Sequence, residues 1–238
     1  MKLDVLAFGA HPDDVEISSG GTVSRLVSEG KKVGIIDLTR GELGTRGSAD
    51  LRDDEAARSS EILGLSARVN LDLGDGTFEN SNENRLKIIE QIRRFQPDII
   101  LANALSDRHP DHGRGAALVK EAAFFSGLAK IETRHDGEVQ TSWRARLLAH
   151  YIQDFYHEPD FVIDVTDYFD QKMESIKAFS SQFFDPNSEE PQTPISGEGF
   201  FEMIRARAVS LGRPAGMNLA EGYNVERILG VDDIFDLR

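Results

Sequence analysis

Cysteine is absent from the 238 residues. The chain therefore has no disulfide framework, no thiolate nucleophile and no sulfur-rich metal site, so any bound metal must sit on His, Asp or Glu. Positive charge is scarce too: 27 Lys and Arg stand against 41 Asp and Glu, a formal net charge of -14. A field of that sign repels nucleic acid and anionic membrane surfaces, and an anionic substrate would have to meet a local cluster of arginines. No apolar run is long enough to span a bilayer, and the one within MKLDVLAFGAHPDD is too short for a signal peptide. A cytoplasmic protein with neither nucleic-acid nor membrane partners is expected. Internal repeats, heptads and low-complexity tracts are also missing.

The hydrophobic and charged fractions, 39% and 29%, suit a packed globular core rather than a disordered chain. The length suits a single domain over residues 1–238. Short β-type runs (Leu3 to Phe8, Lys32 to Leu38, Val69 to Leu73, Asp98 to Ala102) alternate with segments of helical spacing at about Gly21 to Glu29, Arg52 to Leu63 and Glu83 to Gln96. Gly30 is a candidate C-cap for the first helix, and Pro97 stops the third. This alternation predicts an α/β fold, a Rossmann-like doubly wound, mostly parallel sheet with helices on both faces. The second half is less regular. An apolar run covers Arg146 to Tyr151, Asp160 to Val165 reads as a strand, and Thr166 is a candidate N-cap for a helix through Phe179. The stretch from Phe184 to Gly199, with three prolines, is long for a connection and could form a lid.

Two clusters carry the chemistry. His11-Pro12-Asp13-Asp14 follows the first strand, and Asp107-Arg108-His109-Pro110-Asp111-His112 follows the fourth. Both should emerge at the carboxyl edge of the sheet, where open parallel sheets gather ligands. Imidazoles and carboxylates around one point, without thiolates, suit a catalytic zinc with an open position for water. Each proline biases the preceding histidine toward extended backbone. Pro110 can also occupy the first turn of a helix, with His112 projecting from that turn. His109 and His112 could both bind metal, and spacing alone does not separate a ligand from an acid. Asp13 and Asp14 point in different directions and can divide their labour between metal and water. His135 reads as exposed, and His150 and His157 as packed or surface residues.

Through AHPDD at Ala10 to Asp14 and HPDH at His109 to His112, the sequence resembles the PIG-L/LmbE-like family of zinc deacetylases. Further stretches, DLTRGELGTRG (Asp37 to Gly47), SSQFFDP (Ser180 to Pro186) and AEGY (Ala220 to Tyr223), make it look most like the bacillithiol-biosynthesis branch, the N-acetylglucosaminyl-malate deacetylases. The resemblance implies that His11, Asp14 and His112 hold Zn2+, that Asp13 is the general base and His109 the acid, and that Asp111 orients His109. It further implies that Arg52 reaches the substrate, where a guanidinium could pair bidentately with a malate carboxylate. Arg108 is grouped with Arg52 as substrate-binding, and Arg40, Arg46 and Arg108 could together offset the acidic bulk near the site. The implied substrate is a small amino-sugar conjugate, and a homo-oligomer is expected. Iron, cobalt or manganese could replace zinc on such ligands.

Three readings compete. A dinucleotide-binding domain shares the first βαβ layout and Asp37, but FGAHPDDVEISSGG lacks G-x-G-x-x-G and sets two carboxylates where a pyrophosphate would lie. A non-catalytic metal-binding protein would carry the same ligands. A deacetylase or amidase for another N-acetylglucosamine or bacillithiol conjugate would keep the chemistry and change the substrate.

Overall fold

The computed structural model describes residues 1–183 and 189–237. Its first strands are β1 (Val5–Gly9), β2 (Val33–Asp37), β3 (Ala67–Asn70) and β4 (Ile99–Ala102). A separate hairpin of β5 (Arg134–His135) and β6 (Glu138–Val139) occupies the polar stretch that follows, before β7 (Leu147–Tyr151), β8 (Phe161–Asp164) and β9 (Ala220–Asn224). Seven of these strands form one sheet in the order β3-β2-β1-β4-β7-β9-β8. The five strands from β3 to β7 in that order pair in parallel, whereas β9 is antiparallel to both its neighbours. The predicted doubly wound architecture is therefore present. Its strand order reverses between β1 and β4, which opens a crevice at their carboxyl ends.

Alternation along the strands builds the two halves of the core. Leu6, Phe8, Ile36, Ile100 and Ala102 face α3 (Asn82–Phe95) and α4 (Pro110–Ser126). Val5, Ala7, Val33, Ile35 and Leu101 face the opposite way, toward α1 (Asp14–Ser28). Ser48 caps α2 (Ala49–Leu63) by accepting the Leu51 amide, and Gly64 ends it at φ 67°. Ser81 caps α3 in the same way, and Gln96 ends it in the left-handed region just before Pro97. A third cluster forms around α5 (Phe169–Lys177) and α6 (Phe200–Gly212). Among the described residues no helix is long and apolar enough to cross a membrane.

Two expected elements differ. Helix α1 starts at Asp14 rather than near Gly21, because Ser18-Ser19-Gly20-Gly21 interrupts the apolar periodicity without interrupting the helix. The small residues allow close approach instead: a Cβ on Gly21 would lie 2.7 Å from that of Val165. Thr166 does not cap a long helix. It opens a short 3-10 turn, and its hydroxyl donates to Asp164 Oδ1 and accepts the Leu219 amide, so α5 begins only at Phe169.

At the same glycines the buried carboxylate of Glu221, on β9, enters the flank of α1 and accepts the amides of Gly21 and Thr22 at 2.9 and 2.7 Å. Lys172 Nζ, equally buried on α5, donates to Glu221 Oε1 at 2.6 Å. One charged pair thus ties α1, α5 and β9 together. Glu221→Leu leaves Lys172 buried without a counter-charge and should cost about 3–5 kcal/mol, whereas Glu221→Leu with Lys172→Met should recover part of that loss. Urea unfolding of the two variants checks this. A loss below about 1 kcal/mol in the single variant would remove the pair as a structural tie.

Candidate metal centre and active site

The strand β1 ends at Gly9, and the chain turns there so closely that a Cβ on Gly9 would stand 2.9 Å from the carbonyl oxygen of His11. Asp13 caps α1 at φ 115°, a conformation that side chains other than glycine rarely adopt and that persists where the surroundings over-determine it. Asp14 then opens the helix, with its Oδ2 accepting the His11 amide at 3.0 Å. Across the crevice, β4 leads to a loop in which His109 becomes the N-cap of α4, its Nδ1 accepting the Asp111 amide at 3.2 Å. Pro110 takes the first helical position, where its missing amide costs nothing, and His112 sits in the first turn.

These two turns bring the histidines and aspartates together. His112 Nε2 lies 3.2 Å from Asp14 Oδ1, and His11 Nδ1 lies 3.6 Å from Asp14 Oδ2. The remaining ring nitrogens are held from behind, His11 Nε2 at 3.0 Å from Asp75 Oδ1 and His112 Nδ1 at 2.6 Å from Asp107 Oδ2. Carboxylates so placed fix each tautomer and leave His11 Nδ1 and His112 Nε2 with lone pairs directed at the centre, the arrangement that metal-ligating imidazoles need. The donor set fits zinc or another first-row divalent ion. Donor atoms of His11, His109 and His112 also fall within 4.8 Å of one another, so distance alone admits His109 as a ligand. We favour Asp14 because it stands between the two back-bonded imidazoles, whereas His109 Nδ1 is occupied by an amide.

The carboxylates around the two imidazoles favour positive charge there. Burial opposes charge on His112, yet Asp14 and Asp107 outweigh it and push the ring up to about 9. His11 rises for the same reason, through Asp111, Asp14 and Asp75. Burial pushes the Asp13 carboxyl up to about 7 against the pull of Arg52. His109 moves the other way, lowered by burial and then by the neighbouring His11 and His112.

His11, Asp13, Asp14, Arg52, Arg108, His109 and His112 all line one cavity of about 290 Å³. Asp111 does not. Its backbone amide serves His109, while its fully buried carboxylate accepts from the Gly76 amide at 2.7 Å and from Arg114 at 2.5 Å and lies 3.5 Å from His11 Nε2. The expected carboxylate support for a charged His109 is therefore corrected. With Nδ1 accepting an amide hydrogen, the neutral ring, which burial favours, would carry its proton on Nε2. Arg52 also differs from expectation. It is buried, and its guanidinium is divided between Asp13 Oδ2 at 3.2 Å and the Gly41 carbonyl at 3.1 Å, so it presents no open fork to a carboxylate. Arg108 stands half-exposed at the rim, held by Asp154 at 2.5 Å. Arg40 is tied to Asp50 and Asp53, and Arg46 to the Ser181 carbonyl and Glu190; neither lines the cavity.

Of the expected lid, residues 184–188 lie outside the described residues, while Thr193, Pro194 and Ile195 form one wall of the cavity. Sequence reasoning missed Asp75, Asn103, Asp107 as an orienting group, and Gln153. Each follows the carboxyl end of a strand, β3, β4 or β7, and that position was the available signal.

A family profile described as PIG-L, GlcNAc-PI de-N-acetylase, matches residues 6–123. The chain is similar to a diacetylchitobiose deacetylase from Thermococcus kodakarensis, 32% identical over 92% of this chain and 81% of the relative. A Bacillus cereus chain named a probable N-acetyl-alpha-D-glucosaminyl L-malate deacetylase 2 is 25% identical over 76% of this chain and 84% of its own. Among solved structures, a conserved protein from Thermus thermophilus superposes with a TM-score of 0.85 at 33% identity, covering 97% of this chain and 98% of that one. With that identity over most of both chains, the protein belongs to the PIG-L family of enzymes.

Proposed function

We propose that this protein is a metal-dependent N-deacetylase of N-acetylglucosamine-type sugars, with His11, Asp14 and His112 as metal ligands. The observation that carries the reading is the pair of imidazoles, each back-bonded by an aspartate, converging on Asp14 with Asp13 beside them in one cavity. A divalent ion held there supplies the Lewis acidity that polarises the acetamide carbonyl and activates water.

The chain's own groups supply the rest. Asp13, held by Arg52 and by its place at the start of α1, receives the proton of the attacking water and returns it to the departing amine. His109 donates a hydrogen bond from Nε2 to the oxygen that gains charge in the tetrahedral state. This replaces the acid role, since a neutral ring that gave up its remaining proton would become a high-energy anion. Asp75 and Asp107 keep the two ligand rings in register.

A neutral conjugate of the diacetylchitobiose type suits the cavity better than an acidic one. Its two arginines are already committed to Asp13 and Asp154, and Ile17, Leu43, Pro194 and Ile195 offer apolar surface beside Thr45, Gln182 and Thr193. The malate conjugate, and with it a step of bacillithiol biosynthesis, is the second reading, favoured by the half-exposed Arg108 and by the Bacillus cereus relative.

Acetate release from diacetylchitobiose and from N-acetylglucosaminyl-malate, each with a chelated control, separates the two readings. Chelation should abolish both reactions, and the disaccharide should show the higher kcat/KM; a reversed order assigns the malate conjugate. Asp13→Asn should retain metal and lose about a hundredfold or more in kcat, and near-normal turnover would remove Asp13 as the base. His109→Leu should lose about 100- to 1000-fold, whereas His109→Gln, which keeps an N–H donor, should lose measurably less. Equal losses in the two His109 variants would restore a proton-donating role.

A further inference from the structure

Asp14 accepts three hydrogen bonds within the site, and two of the donors are amide side chains without a role in the reaction described above. Asn103, just past β4, donates from Nδ2 to Asp14 Oδ2 at 3.0 Å, and Gln153, just past β7, donates from Nε2 to Asp14 Oδ1 at 2.6 Å. Both are buried. The orientation of each amide is set by chemistry, because a carboxylate only accepts and so must face the nitrogen. Asp14 Oδ2 also accepts the His11 amide at 3.0 Å.

Each carboxylate oxygen has two in-plane acceptor positions. Both positions on Oδ2 are taken, by His11 N and Asn103 Nδ2. On Oδ1, Gln153 takes one from an Nε2 that also lies 3.3 Å from His112 Nε2, and the other faces His112 Nε2 itself, 3.2 Å away. We infer that Asn103 and Gln153 form an amide clamp that makes Asp14 a one-oxygen metal ligand through Oδ1. The consequence is mechanistic. A carboxylate free to turn could bind with both oxygens and fill a coordination position that water and the acetamide carbonyl need; the clamp would keep that position open. Asn103 and Gln153 act through Asp14 and are positioning residues. The clamp also couples the site to the sheet, since its two arms leave adjacent parallel strands.

The inference rests on Asp14 being a metal ligand, and its test separates the two claims. Apparent Zn2+ affinity, measured by competition with a chromophoric chelator, is compared for the unmodified protein, Gln153→Met and Asn103→Ala. Orienting groups of this kind contribute about 10- to 100-fold in metal affinity, so each variant should bind that much more weakly, and the double variant should lose less than the product of the two losses. Absence of stoichiometric Zn2+ from the unmodified protein would overturn the metal reading itself. Normal affinity there and affinities within twofold in both variants would overturn the clamp alone. A crystal structure of the Zn2+-loaded unmodified protein depends on no variant. Oδ1 at about 2.0–2.2 Å with Oδ2 outside bonding distance supports the clamp, and both oxygens at bonding distance overturn it.

Discussion

Mutual repulsion among buried carboxylates is the constraint on which this site is built. Asp13, Asp14, Asp75, Asp107 and Asp111 crowd the crevice between β1 and β4, with side chains almost wholly withdrawn from water. Charges so placed would be prohibitive without partners. Each has one: Arg52 for Asp13, two amides for Asp14, His11 for Asp75, His112 and the amides of Asp154 and Phe155 for Asp107, Arg114 and the Gly76 amide for Asp111. Asp14 Oδ1, His11 Nδ1 and His112 Nε2 are the atoms turned toward one point, with the Gln153 amide nitrogen 3.3 Å from His112 Nε2. The partners therefore shape the candidate metal site as much as its candidate ligands do.

The position of that point depends on parts of the fold far from it in sequence. Asp13 and Asp14 occupy the start of α1, and the middle of α1 is gripped by Glu221 on the last strand and by Lys172 on α5. Tyr223, two residues further on, adds a hydroxyl bonded to Ser19 and Thr22 on the same helix. The antiparallel addition of β9 thus does more than widen the sheet, since it braces the helix that presents Asp13 and Asp14. Asx- and imidazole-rich turns alone would not hold such a geometry to the fraction of an ångström that catalysis requires.

The parallel sheet and both clusters were legible because they rest on local signals: β-type runs, helical periodicity, and His-Pro-Asp turns after strands. What was not legible depended on tertiary approach. Gly21 reads as the start of a helix and is contact surface within one; Thr166 reads as a cap and serves Leu219. Arg52 and Asp111 carry the right residue types at the right places, but the direction of a side chain near a helix start is set by its neighbours. Asp111 yields its amide to His109, and Arg52 is drawn inward by Asp13. Gln153, a single amide just past the apolar run Arg146 to Tyr151, had only its position after that run to mark it, and became informative when β7 was placed beside β4.

Charge links the site to the choice of substrate. With a net charge of -14 the molecule repels anions at long range, so an acidic substrate needs a local excess of cations to enter. The cavity does not offer that excess. Arg52 is neutralised within the site by Asp13, and Arg108 at its rim by Asp154, which also receives Arg207 at 3.6 Å. Releasing Arg108 to a malate carboxylate would leave Asp154 with Arg207 alone, and the new ion pair would form at the expense of one already present. A neutral sugar requires no such exchange. It meets an apolar wall and amide and hydroxyl groups, and the acidic exterior is then indifferent to its approach. The same acidic interior that favours a cation among the histidines thereby disfavours a second negative charge on whatever binds beside it.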